Sequence, residues 1–227
     1  MNRNTLRSII RFLFRWLSHL QVEGQQNIPL SGACILVANH ISRLDPALIF
    51  ALVDRQDITA LVAEKYQKVP PIRYLVNAID GIWINRGEAD LQALRAAIAH
   101  LEGGGMLGVA PEGTRSHTRA LIPGKTGVAY LVEKTGVPVI PVGITGTEDA
   151  IKKLLRLRRP TIIARIGEPF SLPPVDRHDR STGLQRNTDQ IMTHITALLP
   201  PAYRGVYADK MGKEDPGKER LDRRLVL

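Results

Sequence analysis

One histidine and one aspartate stand five residues apart in the polar segment that runs from Asn39 to Asp45. The segment follows an apolar run and precedes Pro46, which predicts a loop between a strand and a helix. Such a loop can fold back and place the Asp45 carboxylate on one ring nitrogen of His40, leaving the other nitrogen free as a general base. Alone, this spacing is common. Asp45 before Pro46 is also a good helix N-cap, and His40 could be an ordinary polar residue at a strand end.

A second polar loop, residues 110–116, follows the apolar run Met106–Val109. It carries two hydroxyls, one glycine and Arg115. A guanidinium can bind two oxygens of one phosphate, so this loop is a candidate phosphate cradle. The alternative is a polar turn with a solvated arginine. Glu112, in the same loop, could bind a substrate hydroxyl, pin Arg115 or close the loop.

Both loops need a scaffold, and from Gly32 onward short β-branched runs alternate with helical patterns. This rhythm predicts a single α/β domain with a mostly parallel, largely buried sheet flanked by helices. The predicted strands are Ala33–Ala38, Ile58–Ala63, Gly81–Ile84, Met106–Val109, Val139–Ile144 and Thr161–Ile166. The predicted helices are Pro46–Val53, Ile72–Ala78, Glu88–Leu101, Lys125–Thr135 and Gly183–Leu199. Open α/β sheets bind ligands at the carboxyl ends of their strands, where both polar loops would lie.

The net charge of +9 points to an anionic partner. Its distribution indicates an amphipathic N-terminal helix, with basic residues Arg3, Arg7, Arg11 and Arg15 opposite apolar residues Leu6, Ile9, Leu13, Trp16, Leu17 and Leu20. Phe14 breaks the pattern on the basic side. Such a helix would lie in a membrane interface, with its arginines near lipid phosphates. The alternative is a helix docked on the protein's own core. No apolar run is long enough for a membrane-spanning helix, so none is predicted.

Four segments are predicted from these patterns: a membrane-interface helix at 1–21, a core at 22–170, a linker with a C-terminal helix at 171–200, and a disordered tail at 201–227. The single cysteine, Cys34, excludes an intramolecular disulfide and a cysteine-rich zinc site. It lies in an apolar run, which favours a core position. With no disulfide to form, nothing requires an oxidising compartment, which fits a cytoplasmic location.

Together the two loops and two further segments resemble the glycerolipid acyltransferase family, typified by 1-acyl-glycerol-3-phosphate acyltransferases. The resembling blocks are Asn39-His40-x-Ser42-x-x-Asp45, Gly81–Arg86, Pro111–Ser116 and Val137–Val142, in the family's order. The resemblance covers roughly residues 20–170. It implies that His40 and Asp45 are catalytic, with Asn39 and Ser42 supporting them. It implies binding of the acceptor phosphate by Arg86, Glu112, Gly113, Thr114 and Arg115.

The resemblance also implies O-acyl transfer from acyl-CoA or acyl carrier protein to a lysophospholipid at the inner face of the cell membrane. Because a thioester is already activated, no metal and no cofactor are expected. Another lysolipid or glycerol-3-phosphate remains an alternative acceptor. A nucleic-acid-binding module would use the basic run Lys152–Arg159, but only 5% of residues are aromatic, and that run could meet lipid headgroups instead. A lipid hydrolase would share the His–Asp pair, but it needs a nucleophile or metal that the sequence does not offer.

Overall fold

The computed structural model describes residues 2–85 and 90–212. Seven strands form one sheet: β1 (His19–Glu23), β2 (Cys34–Ala38), β3 (Ile58–Ala63), β4 (Ile82–Ile84), β5 (Met106–Val109), β6 (Val139–Thr145) and β7 (Thr161–Ile166). Their spatial order is β1-β7-β6-β2-β5-β3-β4. All neighbouring pairs are parallel except β6 with β7. The predicted mostly parallel sheet is therefore confirmed.

The described residues also form seven α-helices: α1 (Arg3–Leu17), α2 (Asp45–Leu52), α3 (Pro70–Ala78), α4 (Leu91–Glu102), α5 (Gly127–Thr135), α6 (Ala150–Leu154) and α7 (Arg180–Ala197). Helices α1, α2 and α3 contribute to one apolar core, and α4, α5 and α7 to a second core on the opposite face. Strand β2 is buried along its whole length because alternate side chains enter the two cores. The predicted α/β class with flanking helices is confirmed.

All six predicted strands form within one residue of their predicted ends. Among the described strands and α-helices, two short elements were not predicted. Strand β1 begins at His19, inside the segment assigned to the N-terminal helix, and pairs with β7. Helix α6 has only five residues. The start of the predicted helix at Glu88 lies outside the described residues.

Three of the four arginines in the stripe of α1, namely Arg3, Arg7 and Arg11, bind backbone carbonyls of the protein, whereas Arg15 is exposed. For these three, the prediction that they meet lipid phosphates is corrected. Arg7 is only 4% exposed. Its guanidinium donates to the carbonyl oxygens of Phe50 (3.3 Å) and Arg55 and lies over the Phe50 ring. Arg11 donates to the Ala51 carbonyl at 2.8 Å. Two of these carbonyls belong to the last turn of α2, where backbone acceptors lack helical partners and cations are favoured.

On the opposite side of α1, several apolar side chains are exposed to solvent. Phe12 is 62% exposed and Trp16 is 65% exposed, and their rings stack at 6.3 Å between centroids. Ile9 and Leu13 extend this exposed face of α1. Phe14, which breaks the sequence pattern, packs instead against the core. Among the described residues, no helix is both long enough and apolar enough to cross a membrane.

The tail prediction is wrong for residues 201–212. These residues form two 3₁₀ helices, Pro201–Tyr203 and Gly205–Gly212. Tyr207 is buried in the second core, and its hydroxyl accepts a hydrogen bond from the Gly124 N–H at 3.0 Å. A buried aromatic side chain with a satisfied hydroxyl anchors this segment. Residues 213–227 lie outside the described part of the chain.

Candidate active site

Three adjacent strands, β5, β2 and β6, deliver polar side chains to one edge of the sheet. They run parallel, so their carboxyl ends lie side by side. His40 follows β2, Glu112 follows β5 and Thr147 follows β6. The expectation that both polar loops lie at the carboxyl ends of strands is therefore met. The strand order also brings in a third loop, around Thr147, which no local sequence pattern indicates.

His40 and Asp45 form the predicted pair. The His40 Nδ1 atom lies 2.9 Å from Asp45 Oδ2. A carboxylate accepts hydrogen bonds, so this contact assigns the ring proton to Nδ1 and leaves the Nε2 lone pair available. The His40 side chain is 18% exposed and the Asp45 side chain 3%. Asp45 orients the ring through Nδ1, while Nε2 is left to accept a proton.

Asp45 does not cap helix α2, contrary to the N-cap interpretation. It is the first residue of α2, and its side chain turns back into the loop. In addition to the His40 contact, its Oδ2 atom accepts hydrogen bonds from the backbone N–H groups of Ile41 (2.8 Å) and Ser42 (2.7 Å). Its Oδ1 atom accepts the Thr147 hydroxyl at 2.6 Å. A buried carboxylate requires such partners, and four donors fix its plane.

Glu112 braces the loop that carries His40. Its Oε1 atom accepts the His40 N–H at 2.8 Å, and its Oε2 atom accepts the Ile122 N–H at 3.1 Å. The Ser116 N–H donates to the His40 carbonyl at 2.7 Å, so the two loops are joined twice. Burial raises the pKa of the Glu112 carboxyl to about 7, although the two backbone donors oppose the shift. Of the three roles considered for Glu112, loop closure is the one that its contacts support.

Asn39 and Ser42 support the loop from its two ends. The Asn39 amide exchanges two hydrogen bonds with the Ile144 backbone, at 2.7 and 2.8 Å, and so continues the β2–β6 pairing beyond the strand. The Ser42 hydroxyl accepts the Leu44 N–H at 3.2 Å. These contacts hold the loop that carries His40.

The remaining acceptor residues lie beside the dyad on the loop after β5, except Arg86, which lies outside the described residues. Gly113 has a φ of +66°, and a Cβ there would stand 2.8 Å from the Lys125 Cδ atom. Thr114 is exposed and Arg115 is half-buried. Within the described part of the chain, the Arg115 guanidinium enters no ion pair. Its charge is therefore not neutralised by a carboxylate of that part.

An apolar cavity of about 150 Å³ opens beside His40. Helices α2 and α3 and strands β3 and β5 line it. The larger aliphatic and phenylalanine side chains that line it are Ile49, Phe50, Ile58, Val62, Ile72, Leu75, Val76, Ile79 and Val109. His40 and Asp45 form part of its wall. The dyad therefore stands between an apolar cavity and a loop rich in hydrogen-bond donors.

Comparison with known proteins places this arrangement in a family. A family model described as Acyltransferase matches residues 19–145, which is more than half of the chain. The chain belongs to the acyltransferase family. The match contains the His40–Asp45 pair and the Arg115 loop, whereas Thr147 and α6 lie beyond it.

Individual relatives share parts of the sequence and the fold. The chain is 28% identical over 138 residues to a 1-acyl-sn-glycerol-3-phosphate acyltransferase of Borreliella burgdorferi, covering 59% of this chain and 55% of the relative. It is 32% identical over 108 residues to the enzyme of that name from Salmonella typhimurium, covering 48% and 40%. It is similar to the crystal structure of the 1-acyl-sn-glycerophosphate (LPA) acyltransferase PlsC from Thermotoga maritima. That match has a TM-score of 0.63 and 30% identity, covering 83% of this chain and 79% of that one. The chain thus spans about half the length of the Borreliella burgdorferi relative and less than half of the Salmonella typhimurium relative.

Sequence reasoning missed three features of the acyltransferase site. Thr147 had no local signal, because its role depends on β6 pairing with β2. Lys125 lies over Gly113, but an isolated lysine at the start of a predicted helix carries no motif. The cavity is lined by residues of α3 that the sequence identified only as helical. Each feature arises from tertiary packing rather than from local spacing.

Proposed function

We propose that this protein transfers a fatty acyl group from a thioester donor, acyl-CoA or acyl carrier protein, to the free hydroxyl of 1-acyl-glycerol-3-phosphate, giving phosphatidic acid. The observation that carries the proposal is the position of His40. Its ring stands in the wall of an apolar cavity, and its backbone is bonded to the loop that bears Arg115. The similarity to 1-acyl-sn-glycerol-3-phosphate acyltransferases supports this acceptor.

In the proposed reaction, His40 acts through its Nε2 atom. It removes the proton of the acceptor hydroxyl as that oxygen attacks the thioester carbonyl carbon. A carbon–oxygen bond forms, the carbon–sulfur bond breaks, and the proton passes from the imidazolium to the leaving sulfur. Asp45 orients the ring and stabilises its charged form. The thioester is already activated, so the proposed chemistry needs neither a metal nor a cofactor.

The apolar cavity would hold the donor's acyl chain, because its lining is almost entirely hydrocarbon. The loop after β5 would hold the acceptor phosphate through Arg115. Gly113 would let the backbone approach the phosphate closely, and Thr114 would offer its hydroxyl as a donor. Lys125 adds a second cation over Gly113. Arg86 belongs to the same proposal through the family resemblance. Binding a remote phosphate would align the reacting hydroxyl with His40.

A direct test offers the purified protein both labelled donors with acceptors that carry or lack a phosphomonoester. The wild-type protein should form phosphatidic acid from 1-acyl-glycerol-3-phosphate. Replacing Arg115 with lysine should lower kcat/KM for that acceptor about 10- to 100-fold, because lysine keeps the charge but not the two-pronged hydrogen bonding. Acceptors without the phosphomonoester should lose little, and the KM for the donor should change little.

Arg119→Lys is the matched control, because Arg119 lies on the same loop and is paired with Asp149 instead. This variant should behave as wild type. Release of free fatty acid without transfer would instead indicate a hydrolase. Equal losses with both kinds of acceptor would assign Arg115 to the donor or to the fold.

We further propose that the exposed face of α1 attaches the protein to the inner face of the cell membrane. Phe12 and Trp16 are large apolar side chains exposed side by side on one helix. Burial in the lipid interface would remove this surface from water. Arg3, Arg7 and Arg11 then serve the fold, which differs from the role first predicted for them.

Replacing Phe12 and Trp16 with serine should lower binding to lipid vesicles at least about tenfold, because two aromatic side chains no longer enter the interface. Vesicle sedimentation measures the effect. Leu91→Ser is the matched control, since Leu91 is comparably exposed but lies on α4. Unchanged vesicle binding by the Phe12/Trp16 variant would contradict attachment through α1.

A further inference from the structure

A second exposed surface combines apolar and basic side chains. It comprises α6 and the turn that follows it, residues 150–159, and is called the 150–159 surface. Leu155 is 82% exposed and Leu157 is 98% exposed, and Ile151 is exposed beside them. The basic side chains between these apolar ones are Lys152, Lys153, Arg156 and Arg158. No acidic residue occurs in this segment, and these four cations enter no ion pair within the described residues.

The backbone presents Leu157 to solvent at an energetic cost. Leu157 has a φ of +55°. The Leu157 N–H donates to the Leu154 carbonyl and the Arg158 N–H to the Lys153 carbonyl, both at 2.9 Å. This is the Schellman arrangement that ends many helices, and its left-handed position is normally glycine. A bulky residue there is strained, and in this chain it is also almost fully exposed. The intramolecular contacts therefore give no reason for a leucine at this position.

The 150–159 surface lies at the same edge of the sheet as His40. It connects the carboxyl end of β6 to the start of β7, and these ends lie beside the His40 loop and the start of β1. Two contacts fix its position. Asp149 is paired with Arg119 of the loop after β5 at 2.7 Å. Arg159 donates to the carbonyls of Arg15 and Ser18, at the end of α1, at 3.0 and 2.9 Å.

We propose that the 150–159 surface is a second lipid-contact surface, which binds an anionic bilayer together with the exposed face of α1. The inference rests on the proposed action on a membrane lipid. Aliphatic side chains interleaved with cations match an interface of acyl chains beneath anionic headgroups. Because Arg159 joins this surface to the end of α1, one bilayer can contact both. A single helix in the bilayer would leave the protein free to rotate about it. Two lipid-contact surfaces would instead orient the sheet edge that bears His40 toward the acceptor lipid.

The experiment measures binding of the full chain to vesicles of phosphatidylcholine with and without phosphatidylglycerol. The apolar variant combines Leu155→Ser with Leu157→Gly. It should bind both vesicles about tenfold more weakly. Glycine adopts a positive φ without strain, so this variant should keep its unfolding temperature. The charge variant combines Lys152→Gln, Lys153→Gln and Arg156→Gln. It should bind the anionic vesicles roughly a hundredfold more weakly and show a smaller salt dependence.

Leu30→Ser is the matched control, because Leu30 is 92% exposed but precedes β2, at the opposite edge of the sheet. It should bind as wild type. Both surface variants should keep wild-type turnover on a short-chain soluble acceptor. An absence of transfer by the wild-type protein would refute the proposed function alone, since vesicle binding is measured without substrate.

Wild-type vesicle binding by both surface variants would overturn the inference. A charge variant that binds vesicles normally but raises the KM for acyl carrier protein, and not for acyl-CoA, would also overturn it. In that case the cations would serve an acidic protein partner instead of a bilayer.

Discussion

Replacing His40 with alanine is expected to lower kcat for acyl transfer about 10²–10⁴-fold, because a positioned general base contributes a factor of that size. The fold should survive. The His40 side chain is partly exposed, and the contacts that hold its loop are made by its backbone N–H and carbonyl, which alanine retains. Single-turnover transfer from a labelled thioester measures the chemical step, and thermal unfolding checks the fold.

His178→Ala serves as the control, since His178 is an exposed histidine far along the chain, before α7. It should transfer acyl groups at the wild-type rate. If the His40 variant kept most of the wild-type rate with both donors, the proposed mechanism would be wrong. A loss that merely followed the fraction of folded protein would likewise remove His40 from the chemistry.

The sheet could be predicted because its strands carry strong local signals. Buried parallel strands appear as continuous apolar runs, and the six predicted runs from Ala33 onward are bounded by turns or helical patterns. Strand β1 carries a weaker signal. It alternates partly buried residues such as Leu20 and Val22 with exposed ones. Leu20 also fits the apolar face of the preceding helix. The helical pattern is the longer of the two, so it predicts a helix where the strand begins. Helix α6 was missed because five residues show no period.

The orientation of α1 could not be read from its helical pattern. A helical wheel separates the basic and apolar faces, but it does not say which face meets the protein. The outcome depends on α2, whose last carbonyls lack helical partners and accept hydrogen bonds from Arg7 and Arg11. Phe14, on the basic side, was the one local clue, because an aromatic residue among solvated arginines would have no partner.

The motif residues of the site were predictable, whereas the contacts that hold them were not. The spacing of His40 and Asp45 suggested their contact, and the structure brings them together. Glu112, which binds the His40 N–H, lies 72 positions from His40 in the chain, and Thr147 lies 102 positions from Asp45. Such contacts depend on β5 and β6 flanking β2. Strand order of this kind is set by long-range packing, which local periodicity does not reveal.

Replacing Asp45 with asparagine is expected to lower kcat about 10³–10⁴-fold while the fold persists. The asparagine oxygen can take the place of Oδ2 and accept the N–H groups of Ile41 and Ser42. Its amino group can then face the Thr147 hydroxyl, which accepts as well as donates. The geometry survives, but the negative charge that stabilises the His40 imidazolium is lost. By contrast, Asp45→Ala leaves buried N–H groups unsatisfied, at about 1–3 kcal/mol each, and should also lower the unfolding temperature.

Thr147 provides a graded version of the same test. Thr147→Val keeps the side-chain shape but removes the hydroxyl that donates to Asp45 Oδ1 at 2.6 Å. The carboxylate keeps its charge and three of its donors, so kcat should fall only about tenfold, which corresponds to one hydrogen bond to a charged group. The KM for donor and acceptor should not change, and Thr147→Ser should restore kcat. Three results would contradict this account of the dyad: wild-type turnover by Asp45→Asn, a Thr147→Val effect confined to KM, or failure of serine to restore the rate. If all three are absent, the residue that orients the proposed base is itself held by Thr147, which follows β6 and lies outside the matched family region.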